Sequence, residues 1–186
     1  TNPSIDVNFD NALTGVKQVK MMGLPSPYLL FTEENVPIIR GASQVYGLSF
    51  TPGTWIESLQ ITKGAGSVIN GYESMTGQIN AELKKPLTSE RMFFNLFRSL
   101  EGRNELNFHT KTTLSSKLSA NLFVHFNQFS EKIDKNKDGF LDIPLSEQVN
   151  VLSRLQYLDM EKGWVSFFNI RFLQDDKIFG QGDFSP

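Results

Sequence analysis

The sequence contains no cysteine, which excludes disulfide bonds and thiolate metal sites. It also lacks any apolar run close to the ~18 residues that a membrane-spanning helix needs. Neither sign of charge dominates, since 18 basic and 20 acidic residues give a net charge of −2. This balance argues against a nucleic-acid-binding surface and against a polybasic membrane patch. A membrane-spanning β-structure stays open, because it hides its apolar half in every second residue.

Signals of targeting and of catalysis are also missing. The chain starts at Thr1 without a charged-then-apolar leader, and both ends are expected to be cut. No serine nucleophile lies near a histidine in a familiar arrangement, and the paired carboxylates of Glu33 and Glu34 sit beside a turn. The sequence therefore predicts no enzyme.

Glycine is concentrated in one stretch between two strand-like segments, Ile56–Thr62 and Gln78–Lys84. The stretch carries Gly64, Gly66, Gly71 and Gly77. Glycine adopts positive φ without steric cost, which suits a unit with many tight turns. The stretch lacks the Lys-Ser/Thr ending of a nucleotide-binding loop. Together with the short apolar strand predicted at Tyr28–Thr32, the pattern predicts a small α+β unit with long loops.

After Pro86 the side chains alternate between apolar and polar. The pattern predicts strands at Met92–Leu100, Glu105–Leu114, Leu118–Phe126, Val149–Tyr157 and Trp164–Phe172. Alternation with a period of two indicates antiparallel strands that have one apolar face and one polar face. A strand of about 9–11 residues matches a tilted bilayer crossing.

The connections between these strands alternate in length. Ser115–Lys117 and Asp159–Gly163 are tight turns, whereas Glu131–Gln148 is a long loop. Tyr157 and Trp164 flank one tight turn, where the aromatic girdle of an outer-membrane barrel would lie. These features favour a membrane barrel. A soluble antiparallel sandwich is the alternative, because its strands alternate equally well.

Taken together, the two halves resemble the junction of plug and barrel in TonB-dependent outer-membrane receptors of the kind common among Bacteroidetes. The resemblance is strongest between Ile56 and Pro86. It is carried by Ile56–Ile61, Lys63-Gly64, Ser67, Gly71-Tyr72 and Gly77–Asn80. Lys20–Leu24 and Tyr28–Pro37 correspond to an earlier family segment, with Asn35 in place of the usual glycine.

The resemblance implies an α+β plug domain over residues 1–86, without its N-terminal part. Residues 87–186 would be about the first five antiparallel strands of a truncated transmembrane β-barrel, so that the chain is mainly β. Unpaired strand edges are not tolerated in hydrocarbon, and the chain is therefore expected to be a fragment. The alternative stays a soluble calcium-binding β-sandwich, either an adhesion or a carbohydrate-binding module.

The implied function is a receptor and transporter that imports a scarce ligand, namely an iron–siderophore complex, cobalamin or copper. TonB would energise it through an N-terminal segment that is missing here. The expected location is the outer membrane of a Gram-negative bacterium, with outer-membrane lipid and a metal-chelate or cobalamin-type ligand as partners. No nucleic acid and no required cofactor are expected.

By the same resemblance, ligand contacts would come from the outward plug loops, Met21–Tyr28 and Ile38–Thr54. The candidate residues are Met21, Met22, Tyr28, Arg40, Gln44 and Tyr46. Arg40 could attract an anionic siderophore. The adjacent methionines could offer thioethers to copper, or they could fill the core.

Two further patterns concern metals. Asp134, Asn136, Asp138, Phe140 and Asp142 follow the ligand spacing of an EF-hand loop, with Gly139 at the turn. Leu145 replaces the closing glutamate, so the segment is either a calcium site or an exposed turn-rich loop. His109 and His125 share the polar parity and are expected to face the barrel lumen on neighbouring strands.

Overall fold

The computed structural model describes residues 4–11, 16–41, 47–66, 68 and 73–183. Within these residues the chain forms eleven β-strands. Internal contacts divide the chain into two units, Thr1–Leu83 and Lys84–Pro186, close to the change of composition at Pro86. No helix in the described part of the chain is long and apolar enough to cross a membrane.

The first unit contains a two-stranded ribbon and a four-stranded sheet. The strands are β1 (Ile5–Asn11), β2 (Val16–Met21), β3 (Leu29–Glu33), β4 (Val36–Ile39), β5 (Ile56–Lys63) and β6 (Gly77–Leu83). The ribbon pairs β1 with β2, and the sheet has the order β4-β3-β6-β5. β3 runs parallel to β6, and the other pairs are antiparallel. β3 and β6 can run parallel because the long connection between them brings the chain back to the end of the sheet at which β3 begins.

The core of this unit surrounds β3, the strand that the apolar run at 28–32 predicts. All five residues of β3 are buried. The core cluster joins Val19, Met21, Leu29, Phe31 and Ile39. A strand that is buried on both faces reads as a continuous apolar run rather than as an alternating one, which explains why this strand could be predicted.

A buried amide fixes the hairpin between β3 and β4. Glu34 and Asn35, with φ of 54° and 64°, form its two-residue turn, as the primed hairpin turns require. The Asn80 side chain of β6 accepts hydrogen bonds at 2.8 Å from the Asn35 amide and from the Thr32 hydroxyl. β6 therefore holds the turn as well as the strand.

Helical structure in the described part of this unit consists of short 3₁₀ turns, among them Ser26–Tyr28, Gly47–Ser49 and Gly53–Trp55. The α+β class expected for this unit stays a prediction. Proline and glycine interrupt the chain around these turns. A first helical turn fixes three residues for one hydrogen bond, so such short segments do not extend into α-helices. The broader description of the chain as mainly β is confirmed.

The second unit is one antiparallel meander. Its strands are β7 (Met92–Arg98), β8 (Arg103–Thr113), β9 (Leu118–Phe129), β10 (Leu145–Asp159) and β11 (Trp164–Ile178). Each strand pairs with the next, in the order β11-β10-β9-β8-β7. In the described residues β7 and β11 have one neighbouring strand each, so the sheet is open. All five predicted strands are present.

Four of the five strands are longer than predicted, whereas β7 ends at Arg98 instead of Leu100. β10 and β11 have 15 residues each, where the alternation indicated about nine. Ladder pairing continues from Leu145 opposite Ile178 to Asp159 opposite Trp164. Backbone hydrogen bonds form regardless of side-chain polarity, so pairing extends past the residues in which apolar and polar side chains alternate.

Gly77 gives the first testable prediction. It starts β6 with φ of 147°, and an added Cβ would overlap the Thr62 carbonyl oxygen and lie 2.6 Å from Met21 Sδ. Gly77→Ala should therefore lower the free energy of unfolding of the first unit by about 1–3 kcal/mol. Gly53→Ala is the control, because a Cβ at Gly53 meets no atom within 4 Å.

The measurement is denaturant unfolding followed by the fluorescence of Trp55, which is fully buried. Trp164→Phe removes the second of the two tryptophans. Equal unfolding midpoints for Gly77→Ala and Gly53→Ala would show that β6 tolerates a side chain at this position.

Candidate functional site

The sheet of the second unit buries its polar face. Eight polar side chains point to the same side of β8, β9 and β10, and each is at most 6% exposed. They are Asn107, His109, Asn121, His125, Gln148, Asn150, Arg154 and Gln156. A soluble sheet usually packs its apolar face and leaves its polar face to water. This sheet does the reverse.

The opposite side, called the apolar face below, carries most of the exposed hydrophobic side chains of this sheet. Exposure is 40–69% for Met92, Phe94, Leu96, Leu122, Trp164, Phe168, Ile170 and Phe172. Single exposed hydrophobic residues are ordinary, but a contiguous surface of this kind marks a contact with lipid or with a partner.

The strand register makes the apolar face continuous. Directly opposed residues share a face of the sheet. One row crosses all five strands through the successive pairs Phe94↔Phe108, Phe108↔Val124, Val124↔Val151 and Val151↔Phe172. Every member of the row is apolar. The parity seen in the sequence therefore becomes a single surface.

The ends of the apolar face are chemically distinct. In β11 the face runs from Trp164 to Phe172 and is followed by Gln174 and Asp176 at the next two positions of the same parity. The eight steps of ~3.3 Å between these nine residues span about 26 Å along the strand. Because barrel strands are tilted, the height across a membrane is smaller than this length. Tyr157 and Trp164, 39% and 62% exposed, lie at the end with the tight turns.

A segment without regular structure crosses the polar face. Residues 84–91, called the strap below, bind to β8 and β9. Glu90 Oε2 lies 3.0 Å from Lys84 Nζ and 3.2 Å from Nε2 of the buried His109. The Asn121 amide donates to the Lys84 carbonyl at 3.2 Å and accepts from the Ser89 hydroxyl at 3.3 Å. The strap thus satisfies polar groups that the sheet would otherwise bury alone.

The two histidines lie on the polar face of neighbouring strands, as their parity predicts. The His109 ring stacks on Phe93 at 4.8 Å between centroids. His125 Nδ1 lies 2.8 Å from Asn107 Oδ1. That these histidines face a lumen stays a prediction.

Met21 and Met22, the expected thioether pair, lie in different surroundings. The side chain of Met21 is fully buried in the core cluster of the first unit, whereas that of Met22 is 60% exposed. Met22 has φ of 53°, and this turn separates the two side chains. The adjacent methionines therefore do not form a thioether pair for copper. Core filling is the role of Met21.

The remaining candidate ligand residues differ in their surroundings. Tyr28 is 37% exposed. Arg40 Nε lies 3.0 Å from the nearly buried carboxylate of Glu73, which offsets its attraction for an anion. Gln44 and Tyr46 lie outside the described residues.

The segment with EF-hand-like spacing directs its oxygens to its own backbone. Asp134 accepts a hydrogen bond from the Gly139 amide at 2.9 Å, and Asp142 accepts one from the Lys135 amide at 2.8 Å. Among the described residues no group of three or more histidine or acidic side chains could hold a metal ion. Calcium binding stays a prediction from spacing.

Sequence reasoning missed the strap. Lys84, Ser89 and Glu90 belong to no periodic pattern, and their partners are distant in sequence, 37 residues away for Lys84 and Asn121. One signal was present, since several asparagines and histidines occur at the polar positions of β8 and β9. Buried groups of that kind need hydrogen-bond partners from elsewhere in the chain.

Comparison with solved structures identifies the fold. The siderophore receptor PirA from Acinetobacter baumannii matches with a TM-score of 0.68 at 17% identity, over 95% of this chain and 28% of that one. A variant of the ferric enterobactin receptor PfeA from Pseudomonas aeruginosa matches with a TM-score of 0.68 at 14% identity, over 98% and 30%. PirA from Pseudomonas aeruginosa gives a TM-score of 0.63 at 16% identity, over 96% and 35%.

No family model and no curated protein matches the chain. The chain therefore shares the fold of part of these siderophore receptors, and it spans about a third of their length or less. This likeness supports the receptor fold that the resemblance implied. Assignment to the Bacteroidetes kind stays a prediction.

Glu90 predicts how the strap responds to acid. Hydrogen bonds from its own backbone amide, from Lys84 and from His109 lower the pKa of Glu90 from the ordinary 4.5 to about 2. Because the folded pKa lies below the ordinary value, the charged carboxylate stabilises the bound strap above pH 4.5, and this contribution is lost as the pH falls toward 2.

The measurement is the anisotropy of a fluorophore on Thr88→Cys, which would be the only cysteine of the chain. Anisotropy should fall as the pH is lowered below 4.5. Glu90→Gln has no charge at this position to lose. Its anisotropy should be lower than that of the parent at neutral pH and should show no such transition. An identical acid transition in both proteins would assign the effect to another group.

Proposed function

We propose that the chain is part of a TonB-dependent outer-membrane receptor that imports a scarce ligand. In this proposal β7–β11 form part of the membrane-spanning wall, and the first unit forms part of the plug. The observation that carries the proposal is the apolar row from Phe94 to Phe172, which lies opposite a buried polar face.

Lipid is the partner that the apolar face fits. Apolar surface left in water costs about 25 cal/mol per Å², and acyl chains remove that cost. Backbone polar groups must be paired inside a bilayer, and every strand of the meander is paired with its neighbour in sequence. The edges of β7 and β11 would be paired by the rest of the barrel. Tyr157 and Trp164 would then lie at the membrane–water interface.

The polar face suits the inner side of such a wall. Outer-membrane barrels alternate apolar residues toward lipid with polar residues toward the lumen. His109 and His125 would face inward, although both are already engaged by other residues. They act here as structural groups rather than as a metal site.

Among the proposed ligands a ferric siderophore is favoured. The structures that share the fold are siderophore receptors, and one PfeA variant is solved with enterobactin. The separation of Met21 from Met22 removes the argument for copper. Cobalamin stays an alternative, because no described residue distinguishes the two large ligands. Met22, Tyr28, Arg40, Gln44 and Tyr46 remain candidate contacts.

The alternative function, a soluble calcium-binding sandwich, has less support. A sandwich would bury Phe108, Val124 and Ile170 between two sheets. Ile170 is 59% exposed, and the other two are only half-buried.

A charge at Leu122 tests whether lipid or water surrounds the apolar face. This residue lies near the middle of β9 and is 40% exposed. In water, Leu122→Arg would cost little. In a bilayer it should destabilise the folded protein by about 2–4 kcal/mol. The measurement is the folding free energy in lipid vesicles, with the protein at its native length.

Asn127→Arg on the polar face of the same strand is the control, since Asn127 pairs with Glu105 across β8 and β9. It should fold as the parent does. Comparable folding of Leu122→Arg and the parent in vesicles would rule out lipid as the partner of the apolar face.

Uptake identifies the ligand class. Cells that make the protein at its native length should accumulate ferric enterobactin in preference to cyanocobalamin and Cu²⁺, and a strain lacking TonB should accumulate none through it. Uptake of cyanocobalamin alone would replace the siderophore by cobalamin. Accumulation that is independent of TonB would contradict the proposed energy source.

A further inference from the structure

The chain passes from one set of contacts to another between two adjacent residues. The Leu83 amide donates a hydrogen bond to Glu34 of the first unit at 2.8 Å. The Lys84 carbonyl accepts one from Asn121 of the second unit. Leu83 is the last residue of β6, and Lys84 is the first residue of the strap. These two hydrogen bonds coincide with the boundary between the two units.

The strap is attached along its whole length. Near its start and middle, Asn121 joins the Lys84 carbonyl to the Ser89 hydroxyl. Near its end, the Arg91 carbonyl accepts hydrogen bonds from the Lys111 amide at 3.1 Å and from the Thr110 hydroxyl at 2.9 Å.

The side chain of Glu90 adds further contacts. Glu90 contacts Lys84 within the strap and His109 on β8. The Lys84 ammonium also lies 5.5 Å from the centre of the Phe93 ring on β7. Since the His109 side chain is buried against Phe93 and Phe123, its position is fixed by packing. The hydrogen bond between Glu90 and His109 therefore has a rigid partner.

We infer that the strap is a fixed anchor. It stays bound to the polar face of β8 and β9 while the preceding unit changes conformation during import, so the part of the chain that moves ends at Leu83. Asn121, His109 and Glu90 are its positioning residues. The inference rests on the proposed import function, because only a gated importer requires such a movement.

The contacts of the strap favour an abrupt end of the moving part of the chain at Leu83 over a gradual one. Several contacts of different kinds would have to open together to release the strap, whereas the first unit, which ends at Leu83, has a core of its own. Regions with dense contacts open last, and conformational change is drawn from regions that open at lower cost.

A reversible cross-link tests the anchor. The chain has no cysteine, so Ser89→Cys with Asn121→Cys introduces the only thiols, at side chains whose polar atoms lie 3.3 Å apart. The disulfide should form in the folded protein at its native length. Uptake of ferric enterobactin by the oxidised form should stay within twofold of that by the reduced form.

A larger loss of uptake that is restored by reductant would overturn the anchor, because it would mean that the strap must leave the sheet. Failure of the disulfide to form in the folded protein would overturn it as well, because the two side chains would not be neighbours.

Hydrogen exchange on the purified protein tests the anchor without any ligand. The Thr88 and Ser89 amides, which donate to the Lys85 carbonyl at 3.1 and 3.0 Å, should exchange as slowly as amides of β8. Asn121→Ala should speed their exchange about tenfold, and Asn127→Ala, on the same face of β9, should not. Exchange of the strap as fast as that of the turn at 160–163 would overturn the anchor. Absent uptake in the parent protein would contradict the proposed function alone, and hydrogen exchange would then decide on the anchor.

Discussion

Strand register is the constraint on which the second unit depends. Side chains alternate with a period of two, so a slip of one residue in any pair would move a whole strand's apolar residues to the polar face. The row from Phe94 to Phe172 exists because four successive registers agree. The buried asparagines and histidines strengthen that agreement. A slip would place His125 and Asn107 on the apolar face, away from their partners, and an unpaired buried polar group costs about 1–3 kcal/mol.

The sequence was most informative where one physical rule acts alone. Alternation located all five strands of the meander, and the apolar run at 28–32 located β3, because each pattern reflects burial on one or both faces. It was less informative about strand ends. Residues 145–148 and 173–178 pair by backbone hydrogen bonds that leave no trace in side-chain polarity. Helical structure in the first unit is hard to predict from sequence, because its short 3₁₀ turns have too few residues to favour an α-helix.

Individual sites were harder to predict for a different reason. Whether Met21 is exposed depends on the turn at Met22 and on a core assembled from Val19 to Ile39, and no local pattern contains that information. Arg40 is a reasonable candidate for binding an anion when judged from the sequence. In the structure it contacts the carboxylate of Glu73, 33 positions further along the chain. The strap shows the same limit from the other side, since its contacts join residues with no shared periodicity. The surroundings of these side chains depend on long-range contacts, which a local sequence pattern does not contain.

The inverted faces of the meander also constrain how the protein is made. A finished sheet released into water would present Phe94, Phe168 and Phe172 to solvent. Two such sheets would adhere through these faces and precipitate, as exposed apolar surfaces of this kind do. Under the proposed function, the nascent chain would therefore travel unfolded or bound to a chaperone, and it would complete its folding at the bilayer. Biogenesis and final architecture are thus set by the same phenylalanines.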